Sequence, residues 1–179
     1  MRIIAGSCKG ARIFAPKGET RPTSDRVREA VFNLIGPVDG AAVLDLYAGS
    51  GALGLEALSR VAASAVFVDS DREACATIRR NLTKLCLDGA EIVCSDVLRF
   101  LASANRQFDL VLVDPPYEMV ESLAMRLALY LPPILSEDGL VVLESRSGLE
   151  PALASLGTRT SRRYGSTRVT LLERAEERE

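Results

Sequence analysis

Residues 42–54 read AVLDLYAGSGALG, an apolar run that leads directly into three closely spaced glycines. Gly49, Gly51 and Gly54 follow the pattern G-x-G-x-x-G, which joins a buried β-strand to the next helix in nucleotide-binding sheets. Glycines at these places let backbone N–H groups approach a ligand closely at the positive end of that helix. The stretch therefore predicts an α/β fold with a site for an adenosine-containing cofactor after its first strand.

Two carboxylates accompany this glycine loop. Asp69 lies at the end of the next apolar run, 20 residues after Gly49, where an acidic side chain can accept hydrogen bonds from ribose hydroxyls. Asp45 precedes the loop, and its charge can attract the ammonium group of an amino-acid moiety. A nicotinamide dehydrogenase is the less favoured alternative, because the 65 residues after Asp114 leave little room for a second nucleotide-binding half and a substrate domain.

Short apolar runs alternate with segments of helical periodicity from residue 41 onward. Such alternation is typical of parallel strands that are covered by helices on both faces. Two runs around Gly165-Ser166 predict an antiparallel hairpin, which completes a mostly parallel seven-stranded sheet near the C-terminus. The predicted strands are Ala42–Leu46, Ala65–Asp69, Glu91–Cys94, Leu110–Asp114, Leu140–Glu144, Arg159–Tyr164 and Thr167–Leu172.

The first 36 residues predict a small appendage to this sheet. Ile3-Ile4 and Ile13-Phe14 flank a turn of Gly, Ser and Lys residues, which favours a β-hairpin. Ser24 can cap a helix whose apolar residues recur at helical spacing, and Gly36-Pro37 ends that helix. We expect the chain to be a single domain, in which residues 37–179 form the cofactor-binding and catalytic core.

Positive charge is concentrated at the N-terminal end. Residues 1–28 carry seven cations and two acids, a net charge of +5, which leaves −7 for the rest of a chain whose formal charge is −2. A basic segment on an acidic body predicts a polyanion partner; the alternative is a solvated face whose arginines pair with surface acids. The candidate RNA-binding residues are Arg2, Lys9, Arg12, Arg21, Arg26 and Arg28, and a weaker second cluster comprises Arg159, Arg162, Arg163 and Arg168.

The composition excludes several classes of catalyst. The 179 residues include no histidine, so no imidazole can act as a base or bind a metal. Four cysteines, none of them in a C-x-x-C pair, predict reduced thiols that lie mostly in the core and no zinc site. The longest apolar stretch, Leu123–Leu135, is too short to span a bilayer. We expect a soluble, cytoplasmic, metal-free protein that acts as a monomer.

Asp114-Pro115-Pro116-Tyr117 follows the fourth predicted strand, at the same edge of the sheet as the glycine loop. Two successive prolines stiffen this loop and remove two backbone donors, so the Asp114 carboxylate and the Pro115 carbonyl present acceptors in a rigid arrangement. Tyr117 adds a flat face for stacking. Such a loop suits an exocyclic amino group of a nucleobase, because two acceptors on its N–H groups direct the lone pair at a methyl carbon. The alternative is a rigid turn without a catalytic role.

Both loops resemble motifs of class I S-adenosylmethionine methyltransferases. The glycine loop and its carboxylates are similar to motif I and its acidic partner, while Ser95-Asp96 is similar to the adenine-binding position or is a helix N-cap. Asp-Pro-Pro-Tyr resembles motif IV of the amino-methyltransferases, which often begins with Asn. The resemblance implies cofactor contacts from Asp45, Tyr47, Gly49, Ser50, Gly51, Gly54, Asp69, Ser70, Asp96 and Val97.

Further motifs extend this resemblance over nearly the whole chain. Residues 2–6 and 21–33, together with the two loops, are similar in order to the RsmD-like family of bacterial small-subunit rRNA guanine-N2 methyltransferases. The resemblance implies a class I, Rossmann-like methyltransferase fold and the transfer of a methyl group from S-adenosylmethionine to the N2 amine of a guanine in 16S rRNA. It also implies that the catalytic residues are Asp114, Pro115, Pro116 and Tyr117.

Some alternatives stay open at this point. An amino-methyltransferase could act on adenine N6 in a nucleic acid or on a small molecule, because stacking on Tyr117 tolerates any base. An RNA-binding module could keep the cofactor fold without catalysis. Asp114 could accept a hydrogen bond only, or it could also take the proton. The guanine must be unpaired or flipped out of a helix to reach the loop.

Overall fold

The computed structural model describes residues 1–16, 24–150 and 153–175. Its strands are β1 (Ala42–Leu46), β2 (Ser64–Asp69), β3 (Ala90–Cys94), β4 (Phe108–Val113), β5 (Leu135–Arg146), β6 (Leu156–Tyr164) and β7 (Thr167–Arg174). Its helices are α1 (Asp25–Ile35), α2 (Ala52–Ser59), α3 (Arg72–Leu85), α4 (Val97–Ser103) and α5 (Val120–Ile134), with a 3-10 turn at Tyr117–Met119.

These strands form one seven-stranded sheet across the described ranges, in the order β3-β2-β1-β4-β5-β7-β6. The pairs among β1 to β5 are parallel, and β7 runs antiparallel to both of its neighbours. The expected mostly parallel α/β sheet with an antiparallel element near the C-terminus is therefore confirmed. The strand order reverses between β1 and β4, and ligands of open parallel sheets bind at the carboxyl ends of the strands beside such a reversal.

Helices cover both faces of the sheet, because the strands bury apolar side chains on each side. One core packs α1, α2 and α3 against alternate residues of the strands, among them Val43, Phe67 and Leu112. The other core packs α4 and α5 against the intervening residues, such as Leu44 and Val111. The central strands are thus buried on two faces, as continuous apolar runs predict.

The strand boundaries differ from the sequence-based ones in two informative places. β5 begins at Leu135, five residues before the predicted Leu140–Glu144 and directly after a helix that ends in two prolines. The first part of β5 contains Ser136, Glu137 and Asp138. Because these residues are polar, the pattern of apolar residues does not show that the strand already begins here. β4 ends at Val113, so Asp114 lies in the loop after the strand.

The N-terminal segment forms a short hairpin that is fastened to α2. The antiparallel bridge between Arg2 and Arg12 is accompanied by backbone hydrogen bonds from Ile3 to Ala11 at 2.9 Å and from Ile13 to Met1 at 3.2 Å. Polar contacts attach it to α2: the buried Glu56 carboxylate accepts hydrogen bonds from the backbone N–H groups of Ile4 at 2.7 Å and Ala5 at 3.0 Å. After this segment, α1 begins and ends as predicted, with the Ser24 hydroxyl accepting from the Val27 N–H and Gly36 at the C-cap.

The cysteines only partly occupy the core that the sequence suggests. Cys75 is buried and Cys8 half-buried, but Cys86 and Cys94 are exposed, so the expectation that most of them lie in the core is wrong. Burial, with the neighbouring Cys94 as a second cause, raises the pKa of the Cys75 thiol to about 12. No helix in the described ranges is long and apolar enough to cross a membrane.

Candidate functional site

The loops that follow β1, β2, β3 and β4 meet at one edge of the sheet. Strand register places Leu46 beside both Val68 and Val113, so these strands end at the same level. Backbone hydrogen bonds continue past the strand ends: the Asp114 N–H donates to the Leu46 carbonyl at 3.5 Å, and the Ser95 N–H to the Asp69 carbonyl at 3.0 Å. The glycine loop and the Asp-Pro-Pro-Tyr loop are therefore direct neighbours.

The glycine loop has the backbone shape that a close approach to a ligand requires. Tyr47, Gly49 and Gly51 all adopt positive φ values, of 59°, 55° and 77°, a conformation that is uncommon for a residue with a side chain. Gly51 forms the N-cap of α2 and has no side chain that could cap the helix. In the first turn, the Gly54 N–H donates to the Asp45 carboxylate, so the N–H groups of Ala52 and Leu53 are the ones available to another acceptor, and the helix dipole favours a negative or polar one.

Gly54 serves a different purpose, because it allows α2 to pack closely on the sheet. A Cβ atom at Gly54 would lie 2.3 Å from Cε1 of Phe67 and 3.0 Å from Oδ2 of Asp45. The same carboxylate oxygen of Asp45 accepts a hydrogen bond from the Gly54 N–H at 2.9 Å. Asp45 thereby fastens the first turn of α2 to the end of β1.

The pKa of Asp45 reflects both its burial and the other carboxylates at this edge. Burial raises the pKa of Asp45 well above its usual value, and the negative charges of Asp114 and Asp69 raise it further, although the Gly54 hydrogen bond opposes the shift. Perturbed acidic groups of this kind concentrate at functional sites. Because Asp45 is only 2% exposed, its established partner is the backbone of α2; direct contact with a ligand stays a prediction.

Asp69 connects two loops and remains accessible. One carboxylate oxygen accepts from the Gly49 N–H at 2.8 Å, and the other accepts from the Asp71 N–H at 2.8 Å. A carboxylate has about four acceptor positions, so this half-buried side chain can also receive ribose hydroxyls. Ser70, which follows it, is exposed.

The Ser95-Asp96 position takes the capping role that was left open from the sequence. Asp96 is the N-cap of α4, and its side chain accepts from the Arg99 N–H at 2.9 Å. Asp96 also lies near the Tyr47 phenol: burial, and then the Asp96 charge, raise the pKa of Tyr47 to about 12. Val97, the first residue of α4, is buried in the core. Capping does not prevent the exposed Asp96 from contacting a ligand as well.

The Asp-Pro-Pro-Tyr loop is anchored at both ends. Its Asp114 is half-buried, Pro115 is buried and Pro116 is exposed. The Tyr117 hydroxyl forms a hydrogen bond of 2.8 Å with the Thr167 hydroxyl at the start of β7. Thr167 was not anticipated from the sequence, since it lies 50 residues away. The aromatic ring is therefore held at the sheet edge while part of it remains exposed.

Comparison with known proteins places this geometry in a family. The family model described as Conserved hypothetical protein 95 matches residues 1–173. The chain belongs to this family. The motif-based resemblance to RsmD-like proteins and the methyltransferase fold are confirmed by similar relatives and structures.

Three similar proteins illustrate the match. The protein of Bacillus subtilis named "Putative rRNA methyltransferase YlbH" is 40% identical over 182 residues, which cover 97% of this chain and 99% of that protein. "Ribosomal RNA small subunit methyltransferase D" of Escherichia coli K12 is 44% identical over 119 residues, 65% of this chain and 60% of that protein. The solved structure named "Putative methyltransferase yhhF from Escherichia coli" has a TM-score of 0.87 at 34% identity, with 99% of both chains covered.

In this family member, Asn81 is a site residue that the sequence analysis missed. Its buried side chain, on α3, accepts from the Phe14 N–H at 2.8 Å and donates to the Phe14 carbonyl at 3.0 Å. The same amide donates to the Ser50 carbonyl in the glycine loop at 3.0 Å. A signal was available: Asn81 follows Ile78 by one helical turn, so a polar side chain lies on the apolar face of the helix.

The N-terminal cations are divided between internal pairs and free surface charge. Lys9, Arg12 and Arg26 are exposed, and none of them makes an ion pair within the described ranges. Arg2 is 66% exposed in its side chain but pairs with Asp25 at 3.2 Å. Arg21 lies outside the described residues.

The structure corrects the expectation that Arg28 contacts RNA. Its side chain is fully buried, forms an ion pair of 2.8 Å with Asp25 and donates to the carbonyl of Arg2. Although burial acts to raise the pKa of Asp25, the hydrogen bond and charge of Arg28 outweigh it, and the pKa is lowered. Arg28 therefore joins α1 to the N-terminal segment.

The arginines of the second basic cluster are likewise divided between ion pairs and exposed positions. Arg159 pairs with Glu173 at 3.7 Å, and Arg168 with Glu150 at 2.8 Å, whereas Arg162 and Arg163 are exposed. No group of acidic and cysteine side chains suited to a metal ion occurs in the described part of the chain.

Proposed function

We propose that this chain transfers a methyl group from S-adenosylmethionine to the N2 amine of a guanine in 16S rRNA of the small ribosomal subunit, as a single folded unit and a monomer in the cytoplasm. The observation that carries the proposal is the junction of the two loops, where the Asp114 N–H bonds to Leu46 immediately before the glycine loop. The names of the relatives from Bacillus subtilis and Escherichia coli support rRNA as the substrate class.

The donors and acceptors at the sheet edge fit the chemistry of S-adenosylmethionine. The first turn of α2 offers the backbone N–H groups of Ala52 and Leu53 beside the positive-φ glycines, and the half-buried Asp69 offers acceptors for ribose hydroxyls. Gly49, Ser50 and Gly51 would face the amino-acid part, with Ser70, Asp96 and Val97 toward the adenine. When bound, S-adenosylmethionine supplies an electrophilic methyl group on a sulfonium.

The Asp-Pro-Pro-Tyr loop would hold and orient the amine. The N2 lone pair is delocalised into the guanine ring, so the amine is a poor nucleophile until acceptors draw its N–H groups out of the ring plane. Asp114 and the Pro115 carbonyl supply two such acceptors, and Tyr117, tied to Thr167, supplies a stacking face. The new N–C bond forms as the carbon–sulfur bond breaks, and the amine proton passes to Asp114 or to water.

No histidine or metal is needed for this reaction. A sulfonium is a good leaving group, so positioning and hydrogen bonding can supply the rate enhancement. The half-buried Asp114 carboxylate would stabilise a positive charge that develops on the amine during the transfer.

The decisive experiment is radiolabelled methyl transfer to naked 16S rRNA and to small subunits, followed by mapping of the modified base. We expect label at the N2 position of one guanine. Label on adenine N6, or on a small molecule alone, would replace the substrate assignment; cofactor binding without transfer to any acceptor would favour the non-catalytic alternative. Binding of NAD with no binding of S-adenosylmethionine would overturn the cofactor assignment.

A further inference from the structure

Helix α3 carries an excess of positive charge that the N-terminal segment does not account for. It contains four cations and one acid, which is a net charge of +3 on an otherwise acidic body. The four cations are all exposed, and none of them makes an ion pair within the described ranges. They are Arg72, Arg79, Arg80 and Lys84.

Two of these cations are gathered around one aromatic ring. The Arg80 guanidinium lies 4.4 Å from the centre of the Phe14 ring, and the Lys84 ammonium lies 4.6 Å from it. Like charges four residues apart on a helix repel each other, and the negative face of the ring offsets part of that repulsion. The Phe14 side chain is 38% exposed, so the ring and both charges face solvent. An anion at this place would relieve the remaining repulsion.

The Phe14 ring is held in a fixed place relative to the glycine loop. Asn81, the neighbour of Arg80, binds both backbone polar groups of Phe14 and also the Ser50 carbonyl. The segment before Phe14 adds three further cations and no acid over residues 1–16. The aromatic–cation cluster thus shares Phe14 with the basic N-terminal segment and is connected through the buried Asn81 amide to the candidate cofactor site.

We propose that Phe14, Arg80 and Lys84 form a docking surface for the phosphate backbone of the substrate RNA. The proposal rests on the proposed function, because it takes RNA as the substrate. A chain of phosphates fits better than an acidic protein, since Phe14, at which the two α3 cations meet, belongs to the segment that also carries the exposed Lys9 and Arg12. Asn81 joins this segment to the glycine loop. An exposed aromatic edge among cations is also typical of surfaces that bind single-stranded nucleic acid.

The test is a salt titration of binding to a 16S rRNA fragment that the wild-type protein methylates. For Arg80→Gln with Lys84→Gln, two lost phosphate contacts should flatten the slope of log K against log salt by about 1.4–1.8. Phe14→Leu keeps both charges, so its affinity should fall while its slope is retained. The affinity for S-adenosylmethionine, measured by calorimetry without RNA, should stay unchanged in both variants.

The matched control is Arg106→Gln with Arg126→Gln, which removes two exposed cations elsewhere. Arg106 also lies over a phenylalanine ring, 5.2 Å from the centre of Phe108, but it is already paired with Glu91 at 2.7 Å. This control should keep the wild-type slope. Arg80→Lys, which retains the charge, should keep it as well and separates lost charge from disturbed packing.

The outcomes separate this inference from the proposed function. If the wild type methylates the fragment and the double variant keeps its slope, the docking surface is wrong and the function stands. If the slope flattens equally in the double variant and in the control, the docking surface is also wrong, because the effect would then come from the net charge of the protein and not from this cluster. If the wild type methylates no rRNA, the proposed function fails; the same salt titration with a 16S rRNA fragment that the wild type only binds would then support a nucleic-acid surface here if the double variant flattens the slope, and overturn it if the slope is kept.

Discussion

The glycine loop and the N-terminal segment both contact carboxylate or amide side chains, but the two sets of contacts span different distances along the chain. In the glycine loop, Gly54 binds Asp45 nine residues away, and Gly49 binds Asp69 twenty residues away. In the N-terminal segment, Ala5 binds Glu56 across 51 residues and Phe14 binds Asn81 across 67. A short motif therefore describes the first region, whereas only the complete fold creates the second.

The same contrast explains why the charge count describes the whole segment but does not say which of its cations are exposed. The excess of cations over residues 1–28 is a property of the sequence. Which of them reach solvent depends on tertiary partners: Arg28 is buried on Asp25, and Arg2 shares that carboxylate. Lys9 and Arg12 are exposed, and neither pairs with an acid within the described ranges.

The largest effect should come from removing Glu56, because the N-terminal segment then loses its buried anchor. Glu56→Ala leaves the N–H groups of Ile4 and Ala5 and the Arg60 guanidinium without their acceptor. Breaking a buried charged pair from one side typically costs about 3–5 kcal/mol. Urea denaturation should show this loss in the free energy of unfolding. Glu56→Gln, which keeps one acceptor oxygen, should lose less; equal stability of Glu56→Ala and wild type would show that the anchor is dispensable.

The next largest effect tests the glycine-loop edge. Asp114→Ala should lower the single-turnover rate of methyl transfer by about 10² or more, because the lost acceptor acts on the reacting amine. The affinity for S-adenosylmethionine should change only a few-fold, as measured by calorimetry. Asp114→Asn keeps an acceptor oxygen and loses the charge, so high residual activity would identify Asp114 as an acceptor rather than an obligatory base. Wild-type turnover in Asp114→Ala would remove it from catalysis.

A smaller effect is expected at Asp69. Asp69→Ala should weaken S-adenosylmethionine binding by about 1.5–3 kcal/mol, roughly 10- to 150-fold, which is typical for hydrogen bonds to a charged group. Part of this loss of affinity is indirect, because the N–H groups of Gly49 and Asp71 also lose Asp69 as their acceptor. Asp69→Asn should recover part of the affinity. An unchanged dissociation constant for the alanine variant would exclude Asp69 from the cofactor site.

The smallest effect for each replaced residue is expected at the exposed cations of the N-terminal segment, in the salt dependence of RNA binding. Replacing Lys9, Arg12 and Arg26 together by Gln should flatten the salt dependence of RNA binding by about 0.7–0.9 for each phosphate contact that is lost. Arg2→Gln should change it less, since Asp25 already neutralises that side chain. Filter binding over a range of salt concentrations measures both. Identical slopes in the triple variant and the wild type would move RNA docking away from this segment.

The sequence predicted the limits of an element correctly where the residues that set those limits lie next to it in the chain. β1 matches its predicted limits because its apolar run ends in the loop that terminates it, and α1 is delimited by its own cap residues. It failed where partners are distant or polar. Asn81 is recognisable as a polar residue on an apolar face, but its partners at Phe14 and Ser50 depend on tertiary packing, and Thr167 reaches Tyr117 only through the antiparallel course of β7.

The tether between Tyr117 and Thr167 also has a spectroscopic consequence. The sequence contains no tryptophan. The indole of a Tyr117→Trp variant would therefore be the principal fluorophore of the chain. An indole is a hydrogen-bond donor, and its N–H could donate to the Thr167 hydroxyl that now meets the phenol. Quenching of its emission by a stacked base would then report, in real time and without any chemical step, when a nucleotide enters the site.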